Sequence, residues 1–398
     1  MILDKSEIKN RINRFYELMN GRYPDWDIVL IFDRVNQYYF TGTIQDSILI
    51  FTKSSGAHFF VRKSYSRAMM ESNFENIYQM NSFSDIIGVL GNREYENGYA
   101  ETSKVPIDLF NMANKHIKIK NLNSVDAVLE YQRSIKSDAE IEIIKETGQK
   151  HIDFLLNVIP DIIEENMTEL DFAAKSNYEL MKHGHHGTIR FSMFQTNPMS
   201  GQIAFGDNST YPTGFDGPGG SKGLHPSQPH FGDSERRLKK GDLIFADIPY
   251  SMYGYHTDVT RIYIFDDKPD ETIKKAHSEC LRIEKIIASH MKPGAVPAYI
   301  YDDVIKQADK KYIDNFMGVK GENVKFLGHG VGLYINETPV LSPKFREPLE
   351  KNMVIAIEPK ISIDGIGMVG VENTYIITDD GCQCITKGGE EIIEVYSK

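Results

Sequence analysis

Cysteine is scarce in this 398-residue chain, which contains only Cys280, Cys382 and Cys384. Three cysteines cannot build a disulfide framework, and an odd number is typical of proteins in a reducing compartment. Cys382 and Cys384 form a Cys-x-Cys pair, but without partner cysteines they do not make a structural metal site. We therefore expect a cytoplasmic protein without disulfide bonds.

Long apolar runs and an excess of positive charge are also lacking. No apolar segment approaches the roughly 20 residues that cross a bilayer. The first residues mix charged and apolar side chains at helical spacing, unlike a signal peptide. The formal net charge is −11, which offers no basic surface for nucleic acid or for an anionic membrane. We therefore expect neither nucleic acid nor membrane as a partner.

The length and the hydrophobic content of 41% favour a protein of more than one domain with a sizeable core. Short apolar strands at residues 26–32, 47–52 and 58–62 alternate with amphipathic stretches, as in a small α/β domain. After a predicted connector at residues 129–136, Ser137-Asp-Ala-Glu140 is a capping box that opens a new helix. We predict an N-terminal domain at 1–132 and a C-terminal domain at 133–398.

Within the C-terminal part, one order of elements occurs twice. Two amphipathic helices, a long connection and a hairpin are followed by two further helices, another long connection and a second hairpin. Such a pattern predicts an internal two-fold repeat, although the two halves share almost no sequence identity.

The first hairpin, at residues 241–261, carries Asp247 and Asp258. If its strands pair symmetrically about Met252 and Tyr253, the two aspartates face each other across the hairpin. Like charges in that position are destabilising, and the apolar strand around Asp247 indicates burial. Two aspartates on a polar surface are the simpler alternative, but buried carboxylates need a positive partner.

The second hairpin repeats this arrangement with glutamates. Asp364-Gly365 is a strong turn signal, and a loop of residues 364–366 would place Glu358 opposite Glu372. Between the hairpins, His329 lies between two glycines, which allow close backbone approach. His329 alone would be read as a loop residue, whereas beside four carboxylates it becomes a candidate metal ligand.

This ordered set resembles the pita-bread metallopeptidases, which include methionine aminopeptidase, aminopeptidase P, prolidase and creatinase-like relatives. The residues that carry the resemblance are Asp247, Asp258, Thr260-Arg261, His329-Gly-Val-Gly, Glu358-Pro359 and Glu372. The resemblance implies an α+β protein. Its C-terminal domain would have the pita-bread fold, with pseudo-two-fold helices packed on a curved antiparallel sheet, preceded by a smaller creatinase-like α/β domain.

The resemblance also implies a centre with two divalent metal ions, Mn most readily and Co, Zn or Fe as alternatives. Asp247 would bind one ion, Asp258 and Glu372 would bridge both, and His329 and Glu358 would bind the second ion. A hydroxide bridging the ions would attack the peptide carbonyl, with Glu358 as the proton shuttle. His230, or alternatively His225, would contact the substrate.

Four positions depart from the family pattern. Asn336 stands where a second histidine is usual, and it can donate a hydrogen bond to a substrate but cannot shuttle a proton. Gly370 replaces an arginine, Lys360 replaces a glycine after Glu358-Pro359, and Pro249 replaces another glycine. The metal ligands are therefore intact while the residues around the substrate are changed.

The resemblance favours an Xaa-Pro peptidase of the prolidase or aminopeptidase P type, which is commonly a homodimer. One alternative is a metal-dependent hydrolase or lyase of the same fold that acts on a small non-peptide substrate. Another is a non-catalytic binding module. Residues 194–237 look like a long loop over the mouth of the site, and the histidines of residues 183–187 look structural because they follow a helix end.

Overall fold

A computed structural model describes residues 3–194, 196, 201–319 and 321–397. The chain forms two compact units, Met1–Arg133 and Ser134–Lys398. Over the described ranges, every helix is too short or too polar to pass through a lipid bilayer.

The N-terminal unit is built on a six-stranded mixed sheet with the order β4-β3-β2-β1-β5-β6. Its strands are β1 (Ile28–Ile31), β2 (Asp46–Thr52), β3 (Gly56–Lys63), β4 (Ile77–Gln79), β5 (Tyr95–Ala100) and β6 (Ile119–Ser124). Its helices are α1 (Lys5–Arg22), α2 (Arg34–Thr41), α3 (Tyr65–Glu71), α4 (Ile86–Leu90), α5 (Ile107–Ile117) and α6 (Asp126–Ser134). The three predicted apolar strands are β1, β2 and β3, and the predicted α/β architecture is confirmed.

The described helices of the C-terminal unit are α7 (Asp138–Asp153), α8 (Ile159–Ile162), α9 (Glu169–Lys182), α10 (Glu271–His290) and α11 (Pro297–Gln307). Three of them, α7, α9 and α10, begin at a side chain that caps the helix. The capping box predicted at Ser137 and Glu140 is present at the start of α7. The connector predicted at 129–136 is wrong, because α6 continues to Ser134.

Two antiparallel hairpin regions organise this unit. The first contains β7 (Gln202–Phe205), β8 (Leu243–Asp247), β9 (Tyr250–Met252), β10 (Tyr255–Thr257) and β11 (Thr260–Phe265). The second contains β12 (Gly328–Gly330), β13 (Glu337–Val340), β14 (Val354–Ile357), β15 (Lys360–Ile363), β16 (Gly367–Gly370), β17 (Asn373–Ile377) and β18 (Cys382–Cys384). The last strand, β19 (Ile393–Val395), pairs in parallel with β11. The predicted repeat of helices and hairpin is confirmed.

The first hairpin differs from its predicted register. Tyr255 pairs with Met252, so the turn consists of Tyr253 and Gly254, both with positive φ. Asp247 therefore faces Thr260, and the predicted pairing of Asp247 with Asp258 is wrong. A turn displaced by one residue shifts every cross-strand partner by two, which keeps Asp258 on the same face as Thr260.

The second hairpin has the predicted register. Ile363 pairs with Gly367, which leaves residues 364–366 as the loop. The pairs Lys360–Gly370 and Ile357–Asn373 flank the two glutamates and place Glu358 across from Glu372.

The segment 194–237 is more ordered than a structureless loop. Residues 202–205 form β7, which pairs with β8, and Gly206–Thr210 is a short 3-10 helix. Residues 195 and 197–200 of this predicted loop lie outside the described residues.

A single apolar core joins the second helix pair to both hairpin regions. It contains side chains of β8, β11, α10, α11, β14 and β17. Because the strands that carry the carboxylates are anchored in this core, their ends are held in fixed positions.

Candidate metal centre

The five predicted ligands meet at the ends of the two hairpins, where their side-chain atoms form two clusters. Ligand atoms of Asp258, His329 and Glu372 lie within 4.8 Å of one another, and those of Asp247, Glu358 and Glu372 do the same. We call these the histidine cluster and the carboxylate cluster. Glu372 belongs to both, and the roles of all five as metal ligands remain predictions.

Hydrogen bonds between the two hairpins position the acidic side chains. The Asp258 amide donates to Thr374 Oγ1 at 3.0 Å, and Thr374 Oγ1 donates to the Asp258 carbonyl at 3.0 Å. Thr260 Oγ1 donates to Glu372 Oε2 at 2.8 Å. These contacts fix the separation of Asp258 and Glu372 without using Asp258 Oδ1 or Glu372 Oε1.

Arg261 also connects the two hairpin regions. Its guanidinium is buried and donates to the carbonyls of Glu372 and Thr260, each at 2.9 Å. It also donates to Asn373 Oδ1 at 2.8 Å and to the carbonyl of Thr386 at 2.9 Å. Arg261 is therefore a positioning residue that holds the two strands bearing the carboxylates together.

His329 enters the centre through a bulge in β12. The pairing of β12 with β13 shifts between His329 and Gly330, and bulges often re-aim a side chain beside a functional site. A Cβ on Gly328 would collide with the Ala356 carbonyl, and one on Gly330 with the Thr338 carbonyl. The flanking glycines therefore serve close backbone approach, as predicted. His329 Nδ1 lies 3.1 Å from the Gly330 carbonyl, so Nε2 faces Glu358 and Asp258 at 3.5 and 3.8 Å.

Lys360 was not predicted at this centre, yet its ammonium group lies in the carboxylate cluster. Nζ donates to Asp247 Oδ2 at 2.9 Å, Glu358 Oε2 at 2.9 Å and Glu372 Oε2 at 3.2 Å. Its side chain is fully buried. The sequence did contain a signal, because Lys360 follows Glu358 by two residues on an extended segment and therefore shares its face.

The pKa shifts at the centre indicate that a positive charge beside the carboxylates is strongly favourable. Burial raises the pKa of Asp258 well above its usual range, and repulsion from Glu372 and Asp247 adds to the rise. Burial also raises the pKa of Asp247 to about 6, although Lys360 opposes that shift. Burial lowers the pKa of Lys360, but attraction to Asp247, Glu358 and Glu372 outweighs it, so the net shift is well upward.

The two clusters differ in how well they suit a metal ion. Asp258 Oδ1 and Glu372 Oε1 are buried and accept no hydrogen bond from the described residues. Together with an imidazole nitrogen they are an oxygen and nitrogen ligand set suited to a divalent transition metal. The histidine cluster therefore fits a metal ion. The carboxylate cluster does not, because the Lys360 ammonium already bonds all three of its carboxylates.

The predicted substrate-side residues lie outside both clusters. His230 is half-buried against the ring of Phe215, at 5.9 Å between centroids, and burial lowers its pKa. His225 is exposed, and its Nδ1 accepts a hydrogen bond from the amide of Ser227 at 3.2 Å. This bond stabilises the turn that contains His225. Asn336 Oδ1 accepts the amide of Ser192 at 2.7 Å, which leaves Nδ2 as the end that donates.

The histidines after α9 have structural partners. His185 Nδ1 accepts the amide of Ser251 at 3.0 Å, and His186 Nε2 accepts the amide of Tyr253 at 3.0 Å. Both therefore support the β9–β10 hairpin, in agreement with their predicted structural role.

Comparison with known proteins agrees with this architecture. Residues 142–379 match metallopeptidase family M24, and residues 11–135 match the creatinase/prolidase N-terminal domain. The chain is 27% identical to the Xaa-Pro dipeptidase of Pyrococcus furiosus, over 97% of this chain and 100% of that protein. It is 29% identical to the Xaa-Pro dipeptidase of Pyrococcus horikoshii, over 97% and 99%.

Solved structures give the same result. The prolidase from Pyrococcus horikoshii OT3 superposes with a TM-score of 0.79 at 26% identity, over 96% of this chain and 100% of that one. The Xaa-Pro dipeptidase from Bacillus anthracis has the same fold, with a TM-score of 0.79 at 23% identity. The family match covers more than half of the chain, and the predicted pita-bread fold with a creatinase-like N-terminal domain is confirmed. The chain therefore belongs to metallopeptidase family M24.

Proposed function

We propose that this protein is a metal-dependent peptidase that cleaves small peptides before proline. The observation that carries the proposal is the histidine cluster, in which His329 Nε2 lies 3.8 Å from Asp258 Oδ2, while Asp258 Oδ1 and Glu372 Oε1 are buried and lack partners among the described residues. The substrate class is supported by full-length similarity to proteins named Xaa-Pro dipeptidase. Manganese is the proposed ion because most ligands are carboxylates.

Asp258, His329 and Glu372 would hold the ion, with Glu358 beside them. A divalent ion bound there acidifies a water molecule and polarises a substrate carbonyl. Glu358 is the proposed proton carrier. Its Oε2 is held by Lys360 at 2.9 Å, while Oε1 faces His329 Nε2 at 3.5 Å. Lys360 thus orients the carboxylate, and Oε1, which accepts no hydrogen bond from the ammonium, is the oxygen that would take up a proton.

The substrate would be bound by groups outside the clusters. His230 has a buried Nδ1 that finds no partner in the described part of the chain, so it is suited to contact a peptide. Asn336, oriented by Ser192, would donate Nδ2 to a substrate carbonyl. Asn336 cannot reproduce the proton transfer that a histidine at position 336 would allow.

Hydrolysis of a peptide panel tests this function. Manganese-loaded protein should cleave Leu-Pro and Ala-Pro but not Leu-Ala, and Leu-Pro-Gly separates a dipeptidase from an aminopeptidase. Asp258→Asn is the matched inactive control. Failure to cleave any proline peptide, with the metal bound, would contradict the substrate assignment.

A second candidate is a metal-dependent enzyme of this fold with a small non-peptide substrate. It is favoured by Gly370 and Lys360, which change the neighbourhood of the centre while His329, Asp258 and Glu372 are kept. Bound metal together with inactivity on the whole peptide panel would favour this candidate. Absence of bound metal would favour a non-catalytic protein instead.

The proposal includes a cytoplasmic homodimer. The proposed location is supported by the small, odd number of cysteines, which is typical of a reducing compartment. The dimer follows from the resemblance to the Xaa-Pro peptidases. Light scattering should give twice the chain mass of 45.3 kDa, and a mass equal to one chain would contradict the dimer.

A further inference from the structure

We propose that the Lys360 ammonium takes the place of one of the two metal ions expected at this centre, so that the protein holds a single divalent ion at Asp258, His329 and Glu372. This inference rests on the proposed metal-dependent function and changes the number of ions in it. Its consequence is a centre with one exchangeable dication and one built-in cation.

Nζ lies within hydrogen-bonding distance of every carboxylate in the carboxylate cluster. The three carboxylates that Lys360 bonds, Asp247, Glu358 and Glu372, are the whole of the carboxylate cluster. Its three distances of 2.9, 2.9 and 3.2 Å are those of charge-assisted hydrogen bonds. An ammonium group has three donors, and here each has its own carboxylate. A transition metal would bind those oxygens at roughly 2.0–2.2 Å. Nζ already fills the space that such an ion would occupy.

The aliphatic part of the Lys360 side chain is packed into the fold. Lys360 is the first residue of β15 and pairs with Gly370 in β16. A Cβ on Gly370 would lie 2.6 Å from Lys360 Cγ, so the stem passes through space that any other residue at 370 would occupy. The Nζ atom also lies 5.6 Å from the centre of the Phe245 ring. The Lys360 side chain is fully buried, with an exposed fraction of 0%, so it has no contact with solvent.

Lys360 leaves one oxygen of Glu372 and one of Asp258 without a hydrogen bond from the described residues. Lys360 bonds Glu372 through Oε2, whereas Glu372 Oε1 has no partner within the described ranges. The same holds for Asp258 Oδ1. Glu372 thus bonds the ammonium with one oxygen and keeps the other unbonded among the described residues. The same carboxylate would therefore bridge lysine and metal.

Repulsion between cations also favours one ion. Asp247, Asp258, Glu358 and Glu372 carry four negative charges when ionised, and one ammonium with one dication offsets three of them. A second dication beside Lys360 would instead leave the centre with net positive charge. Two such cations at contact distance inside a buried site would repel each other strongly.

Metal counting tests the inference. Metal-free protein is dialysed against excess MnCl2, and bound manganese per chain is measured by elemental analysis. The wild type should bind one ion. Lys360→Gly, which vacates the carboxylate cluster, should bind two, a twofold increase. Lys136→Met is the matched control, because it removes another buried lysine that pairs with a glutamate outside both clusters, Glu337 at 3.5 Å, and it should bind one.

Two isosteric aspartate variants give the same answer if Lys360→Gly fails to fold. Asp247 bonds Lys360 and belongs only to the carboxylate cluster, so Asp247→Asn should still bind one ion. Asp258→Asn should bind none. Circular dichroism of each variant checks that it is folded before the count.

The outcomes separate the inference from the proposed function. Two ions in the wild type, or loss of one of two in Asp247→Asn, would overturn the inference and leave metal dependence intact. A count of one in folded Lys360→Gly would also overturn it. No bound ion in the wild type would overturn the proposed function itself, and the inference with it.

Discussion

His329 is the residue on which the histidine cluster depends, since it offers the only imidazole nitrogen of the two clusters found among the described residues. Its orientation comes from the bulge in β12 and from the bond between Nδ1 and the Gly330 carbonyl. The glycines on either side of His329 indicated close backbone approach in the sequence, because that role depends on the residues next to His329 itself. Lys360 shares the face of Glu358, but the space for its side chain depends on Gly370 across the hairpin, which the local sequence does not show.

His329→Ala should lose metal affinity by more than the roughly 10–100-fold that loss of an outer contact typically causes. Calorimetric titration with manganese measures this. His230→Ala is the control, since His230 lies outside both clusters. It should bind manganese as the wild type does while its turnover of Leu-Pro falls. Equal metal affinities in the two variants would contradict the ligand role of His329.

Gly370→Ala should destabilise the protein by about 1–3 kcal/mol, because the new Cβ meets Lys360 Cγ and the Pro359 carbonyl at 2.6 Å. Gly381→Ala is matched, because a Cβ there has no atom within 4 Å. Its free energy of unfolding should change by no more than about 0.5 kcal/mol. Urea unfolding compares the two. An unchanged Gly370→Ala would show that the lysine stem is free to move.

At the scale of elements, the two hairpins show what a sequence can and cannot specify. In the second hairpin, Asp364-Gly365 marks the turn, so the register of Glu358 and Glu372 followed from local chemistry. In the first, the turn falls on Tyr253 and Gly254, one residue beyond the predicted centre, because tyrosine with positive φ is an unusual turn residue. Burial of Asp247 and Asp258 near one another was still predicted, since an error of two residues preserves the face of the strand.

The strand β7 was missed for a different reason. Residues 202–205 are only four residues long, and their pairing with β8 joins segments about forty positions apart in the chain. A segment of that length carries little periodicity of its own. Its strand conformation depends on a partner that local sequence does not identify.

The junction of α7 with the β9–β10 hairpin should make stability sensitive to acid. Burial lowers the pKa of His151 to about 3, with Arg261 adding to the shift, while His151 Nδ1 bonds Thr257 Oγ1 at 2.9 Å. A lowered histidine pKa stabilises the fold above pH 6.5, and this stability is lost as the pH falls from 6.5 towards 3.

His151→Gln should therefore reduce the loss of unfolding free energy between pH 7.5 and pH 5 by about 2 kcal/mol. Urea unfolding at the two pH values measures the difference. His225→Gln replaces an exposed histidine and should follow the wild-type pH dependence. An equal loss of unfolding free energy between pH 7.5 and pH 5 in the two variants would contradict the role of His151.

At the scale of the whole molecule, the sequence predicted the fold more completely than the chemistry of the site. The ordered ligands Asp247, Asp258, His329, Glu358 and Glu372 identified the family, since five residue types in that order are far more specific than any one of them. The expectation of two metal ions came from the resemblance. The position of Lys360 reduces the proposed number to one. A family pattern describes what members share, whereas a cation supplied by the chain itself is seen only when its side chain is placed among the carboxylates.

Anomalous diffraction from a manganese-soaked crystal is the most direct test of the central claim. The account predicts one manganese peak, between His329 Nε2, Asp258 and Glu372, with Lys360 Nζ still bonded to Asp247 and Glu358. Two peaks, with Lys360 displaced from the carboxylate cluster, would contradict it.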